Sequence, residues 1–140
     1  PTSRHRNYSR KSATTKFLEF FEMSLQIYGI PNCGTCKKAL QWLDFSGIEY
    51  EFVNTKEDQP SRSQIAVWVK YLGNKPLRNT SGQSYRSLGE EKQDWSDEQW
   101  IDAFAQDAML LKRPLFVKDG TAVMAGFREK GEVIREKLGV

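Results

Sequence analysis

The sequence predicts an α/β domain: a four-stranded mixed sheet assembled as a βαβ half and a ββα half, with a helical insertion between them. Three observations carry this reading. A short apolar run (25–30) passes into a helical pattern and then into alternating residues (48–54), which is strand, helix, strand. Two apolar runs flank Asp119-Gly120, a strong short-range signal for a tight antiparallel hairpin. A charged amphipathic segment (128–139) follows the hairpin and supplies the last helix.

The elements can be justified in order. "LQIYGI" is short, apolar and bounded by Pro31, which suits a buried strand. Ala39, Leu40 and Leu43 then recur at helical spacing and Gly47 stops the pattern, so a helix is expected over 34–46. In "IEYEFVN", Ile48, Tyr50 and Phe52 alternate with Glu49 and Glu51 as in a second strand, paired parallel to the first across the helix. Ser61 with Gln64 forms a capping box before a helix on Ile65, Trp68, Val69 and Leu72, ended by Gly73. Residues 77–89 read as a loop with one helical turn. A second capping box, Ser96 with Gln99, opens a helix carrying Trp100, Ile101 and Phe104, and a further turn follows through "AQDAMLLK". The last helix buries Val133, Ile134 and Leu138. Strand order is not readable from the pattern. The sequence of elements is that of a thioredoxin-like domain.

Composition bounds the function. A chain of 140 residues, 39% apolar, holds one domain with a real core and is too short for two. The net charge of +3 belongs to residues 1–22, where Arg4, Arg6, Arg10, Lys11 and Lys16 face Glu19 and Glu22; residues 23–140 carry sixteen basic and sixteen acidic side chains. Net charge therefore gives that body no case for direct nucleic-acid binding. Residues 1–22 are polar and lack apolar periodicity until Phe17–Phe21, so a disordered extension is expected there, with a single domain over 23–140 beginning at Met23. No apolar run of about 18 residues spans a membrane and no secretory leader is recognisable, so a cytoplasmic, reducing setting is expected.

The two cysteines of the sequence, Cys33 and Cys36, stand three apart where strand passes into helix. Backbone N–H groups at a helix start favour negative charge, and Lys37 and Lys38 add to it, so a thiolate at Cys33 is stabilised. The thiolate is the attacking species, and Cys36 stands close enough to resolve a mixed disulfide. Pro31 and Gly34 shape the turn that exposes the first sulfur. Three alternatives stay open at this point. Structural zinc wants four ligands, while the only histidine is His5, so no metal is expected. A structural disulfide across so short a loop removes little chain entropy. The thiols could also be inert. Trp42, Trp68, Trp95 and Trp100 read as core or partly buried residues and not as a ligand-stacking set.

"YGIPNCGTCKKALQWL", "GIEYEFVN", "LGNKPLRNTSGQSYRSLG" and "LLKRPLFVKDGTAVMAGF" together resemble the arsenate reductase/Spx (ArsC/Spx) family, over residues 24–139. The resemblance implies a thioredoxin-like fold with a helical insertion and a thiol–disulfide redox function. It makes Cys33 the nucleophile, Cys36 the resolving thiol and Arg113 the support of a thiolate or an anionic substrate. It also implies that Pro114 is a cis proline facing the cysteine loop, with Tyr85 packed near the site. Asn32, Gly34, Thr35, Lys37 and Pro114 are the substrate-binding candidates. No bound cofactor is implied; glutathione, glutaredoxin or thioredoxin would be the reductant, acting on a monomer.

Two positions depart from the arsenate-reducing members: Ser81 and Phe127 stand where two further oxyanion-binding arginines are expected, with Arg78, Arg86 and Arg128 nearby. The Cys-x-x-Cys pair is shared with the redox-sensing Spx/MgsR branch. That resemblance implies an alternative, a regulator contacting the C-terminal domain of the RNA polymerase α subunit near Gly73. As a residue in its own right, Gly73 is accounted for as a helix-ending glycine.

Overall fold

The structure, a computed structural model, describes residues 24–140. The expected disordered extension and Met23 lie outside the described residues. A four-stranded sheet runs through the middle in the order β2-β1-β3-β4. Strand β1 (Leu25–Gly29) leads into α1 (Gly34–Phe45), which returns to β2 (Glu51–Asn54), parallel to β1. Next come α2 (Arg62–Leu72), the single turn α3 (Gln83–Arg86) and α4 (Asp97–Gln106), with 3-10 turns at Glu90–Asp94 and Ala108–Leu110. Strands β3 (Leu115–Lys118) and β4 (Thr121–Ala125) form the hairpin, and α5 (Gly131–Leu138) closes the fold.

The local signals act as their chemistry requires. Both capping boxes are formed: Ser61 accepts from the Gln64 backbone N–H at 3.1 Å, and Ser96 does the same for Gln99 at 3.3 Å. Asp119 and Gly120 both take positive φ, 51° and 84°, the combination a two-residue hairpin with right-handed twist needs. Strand β2 starts three residues later than the alternation suggests. Ile48 folds back to bond Leu43 O at 3.0 Å, and β1 offers its first partner, Gln26, only to Glu51. Ile48 and Tyr50 are buried all the same, so their apolar signal reports burial in the connection.

The period-2 alternation of the strands sends side chains to two cores. On one face Leu25, Ile27, Phe116 and Met124 pack against Ala39 and Leu43 of α1 and Ile134 and Leu138 of α5. On the other, Tyr28, Leu115 and Val117 pack with Ile65, Trp68 and Val69 of α2 and Trp100, Ile101 and Phe104 of α4. The helical insertion is therefore part of the second core: Tyr28 meets Trp68 edge-on with ring centroids 4.8 Å apart. Val133 and Leu72, expected on buried faces, are only half-buried. Trp68 and Trp100 are core residues, while Trp42 and Trp95 are half-buried at the edges.

Candidate active site

Cys33 is the N-cap residue of α1, in extended conformation, and no side chain caps that helix start. The free N–H groups of the first turn therefore point at whatever lies there, which is the Cys33 sulfur. Partial burial works against its ionisation. The backbone N–H of Cys36, the Cys36 thiol, the backbone N–H of Thr35 and the charge of Arg113 outweigh it and hold the Cys33 thiol below its ordinary range. Cys36, one turn on, is fully buried at 0% exposure. Burial, opposed by a hydrogen bond from the Ile30 backbone and reinforced by the neighbouring Cys33 sulfur, pushes its thiol up to about 12. Both sulfurs are free thiols. The pair is thus divided into an accessible sulfur whose ionisation is favoured and a buried one whose ionisation is opposed.

Cys33 faces a cavity of about 550 Å³ whose wall includes Thr35, Ser81, Arg113 and Phe127. That size is typical of pockets for small organic ligands. Four cationic side chains, Lys38, Lys112, Arg113 and Arg128, line it, and no carboxylate does. Arg113 reaches backbone oxygens only at the edge of hydrogen-bond range, Met109 O at 3.4 Å and Leu111 O at 3.5 Å, and its buried Nε has no partner. A guanidinium with unspent donors beside the Cys33 sulfur is suited to an anion. The Arg113–Pro114 peptide is cis, and Pro114 is buried without lining the cavity.

The other sequence candidates fall in different places. Asn32 and Gly34 are exposed beside the cysteine loop and do not line the cavity, and Lys37 lines a separate one of about 410 Å³ with Ile30, Pro31, Leu40 and Phe52. Ser81 and Phe127 do line the Cys33 cavity, so the two departures from the arginine pattern sit in the site itself. Arg78 and Arg86 take no place there. Arg78 lies over the Trp100 ring, 4.2 Å from its centroid, and Arg86 donates to Ser81 O. Tyr85 stacks on Trp100 with centroids 6.3 Å apart and belongs to the core of the insertion. Gly73 takes φ 91° at the end of α2, a conformation that accounts for the glycine, and lies outside the cavity lining.

Of the other cavity cations, Lys112 was not among the sequence candidates, and Lys38 and Arg128 were read only as nearby charge. Lys112 is brought in across Gly126, where a Cβ would meet its Cε at 2.8 Å. Arg128 reaches the wall because α5 begins only at Gly131, leaving 127–130 as a turn over the site. A Lys-Arg pair before the hairpin and an arginine just after it are the signals that could have found them.

Fold and site together define a thioredoxin-like α/β domain whose Cys-x-x-Cys motif starts the first helix beside an arginine–cis-proline corner. The chain belongs to the ArsC family, matching its profile over residues 28–134. It is 40% identical over 111 residues to the uncharacterized protein YusI of Bacillus subtilis, covering 76% of this chain and 93% of that one. To an arsenate reductase of Escherichia coli it is 30% identical over 96 residues, with 67% and 68% covered. Among solved structures, a possible arsenate reductase from Streptococcus mutans matches at 37% identity and a TM-score of 0.73, over 81% of this chain and 98% of that one. Among the described residues no helix is long and apolar enough to cross a membrane.

Proposed function

We propose that this protein is a thiol–disulfide oxidoreductase for small anionic disulfides, with Cys33 as nucleophile, Cys36 as resolving thiol and Arg113 holding the substrate anion. The observation that carries this reading is the Cys33 sulfur at the uncapped start of α1, facing a cavity lined by four cations and no carboxylate. The Cys33 thiolate attacks one sulfur of the substrate; a Cys33–substrate disulfide forms and the other half leaves as a thiolate, which takes up a proton. Cys36 then gives up its proton and attacks Sγ of Cys33. The Cys33–Cys36 disulfide closes and the second half of the substrate leaves as a thiolate. The substrate has gained two electrons and the pair has lost two. Glutathione, glutaredoxin or thioredoxin supplies two thiols to return the pair to the dithiol.

Arsenate is the less favoured substrate on this reading. Ser81 offers no charge and Phe127 is apolar, and both occupy wall where a tetrahedral oxyanion needs bidentate donors. The test is turnover of arsenate and of a glutathione mixed disulfide, each with glutathione plus glutaredoxin and with thioredoxin. Disulfide turnover that disappears in Cys33→Ser supports the proposal. Absence of turnover, with equal slow alkylation of both cysteines, overturns it. Intact disulfide cycling without turnover, and capture of the RNA polymerase α subunit by one redox form only, would replace it with the regulatory reading.

A further inference from the structure

Gly29 ends β1 and is buried. It pairs with Asn54 in the parallel ladder, and its carbonyl accepts from the Thr55 N–H at 2.9 Å. It is not among the residues with positive φ, so its backbone places no demand for glycine. The demand comes from a sulfur. A Cβ on Gly29 would lie 2.6 Å from Sγ of Cys36, closer than real Cβ atoms come, whereas Phe52 Cε1 and Cys36 Cβ would stand at ordinary distances of 3.5 and 3.6 Å. The missing side chain leaves a notch, and the reduced Cys36 sulfur rests in it.

From that seat the Cys36 sulfur neighbours Cys33, and both are free thiols. A disulfide requires the two sulfurs about 2.05 Å apart, so oxidation of these free thiols moves one or both of them, and any movement of Sγ of Cys36 takes it out of its seat. Resting on the reading of Cys33 and Cys36 as the redox pair, we propose that Gly29 is its positioning residue: the notch holds the reduced Cys36 sulfur back from Cys33 and thereby sets the dithiol–disulfide equilibrium. The cysteine side chain has one torsion, so a β-carbon at position 29 turns the sulfur out of the notch. The dithiol then loses its resting place while the disulfide keeps its own.

The experiment equilibrates the intact chain and its Gly29→Ala variant with mixtures of reduced and oxidised dithiothreitol, then alkylates free thiols and reads the ratio by mass. Two electrons and two protons pass between protein dithiol and reagent disulfide, so the ratio gives the equilibrium constant directly. Gly29→Ala is expected to favour the protein disulfide about tenfold, a potential about 30 mV more negative. A constant within twofold of the parent, or one shifted toward the dithiol, overturns the proposal. Reduced-state unfolding in urea supplies a second arm. Gly29→Ala should destabilise the chain that carries Cys36 and cost nothing further in a Cys36→Ala background. Equal loss in both backgrounds would make Gly29 a strand residue only and overturn the proposal; a variant that folds only when oxidised would be its extreme expected form. Should the parent chain form no disulfide at any reagent ratio, the redox-pair reading itself fails. Should the parent cycle while Gly29→Ala leaves its constant unmoved, only the role of Gly29 fails.

Discussion

The division of labour between the two sulfurs makes a quantitative statement about alkylation. Of the groups that favour the Cys33 thiolate, the N–H and thiol of Cys36 stand ahead of the Arg113 charge. A hydrogen bond to a charged group contributes about 1.5–3 kcal/mol when buried. Cys33 is only partly buried and a thiol is a weak donor, so about 1 kcal/mol is the reasonable share of the Cys36 S–H at this site. Removing it in Cys36→Ala lowers the thiolate fraction about fivefold at a pH below the Cys33 transition. The remaining thiolate is more basic and more nucleophilic, with a Brønsted slope of about 0.4–0.5, so the observed rate with iodoacetamide falls only about two- to threefold. Above the transition the order reverses and the variant reacts about twofold faster. Arg113→Met, which removes the smaller contribution, should slow alkylation less than Cys36→Ala does. The assay is a pH series of iodoacetamide rates followed by mass. A Cys36→Ala variant whose profile matches the parent, or an Arg113→Met variant more impaired than Cys36→Ala, would refute the assigned origin of the thiolate.

Other expectations follow from the same geometry. In Cys33→Ser, Cys36 should resist iodoacetamide near neutral pH in the folded chain and react readily in urea, because it is buried and its thiol is pushed up to about 12; fast labelling of the folded variant would contradict this. Stability should depend on pH with opposite signs for the two thiols. The lowered thiol of Cys33 contributes stability present above the unfolded value of about 8.5 and lost as pH falls through its folded value. The raised thiol of Cys36 favours the folded chain below about 8.5, and stability then falls as pH rises toward the folded value, by at most about 1.4 kcal/mol per pH unit. Urea midpoints between pH 8.5 and 10 should fall in the parent and stay flatter in Cys36→Ala; parallel curves would count against it. Arg128→Glu should cut kcat/KM for an anionic disulfide about five- to tenfold at low salt, less at high salt, and leave a neutral disulfide nearly unaffected. Ser61→Ala should cost about 1 kcal/mol by opening the capping box of α2, measured as a lower urea midpoint.

Much of this fold is local and therefore legible. Asp119-Gly120 names its own turn, and Ser61 and Ser96 name the starts of their helices, because each satisfies backbone groups within a few residues. What the sequence could not show is non-local. The edge position of β2 and its start at Glu51 depend on where β1 offers partners. The cysteine loop and Arg113 were readable as parts of one site, but that Lys38, Lys112 and Arg128 share its cavity depends on the hairpin, α1 and the 127–130 turn meeting around Cys33. Gly29 carried a signal that went unused: a glycine inside an apolar strand marks close approach of another group. The approaching group is the sulfur of a residue seven positions on.

The asymmetry of the pair follows from where a helix begins relative to a sheet. With Cys33 as N-cap, three-residue spacing puts Cys36 on the inward face of the first turn, above the end of β1. One sulfur then receives the free N–H groups and the cavity cations, and the other loses its water. Moving the motif one residue along the helix would put the second thiol about 100° around the axis and expose it. A Cys-x-x-Cys that began inside the helix would likewise surrender the open N–H groups to intrahelical bonds. Reactivity at Cys33 and reserve at Cys36 are therefore consequences of one choice, the residue at which α1 starts. Before that start the chain turns through Pro31, whose ring fixes φ, and the turn is closed by Cys33 N–H to Ile30 O at 3.4 Å.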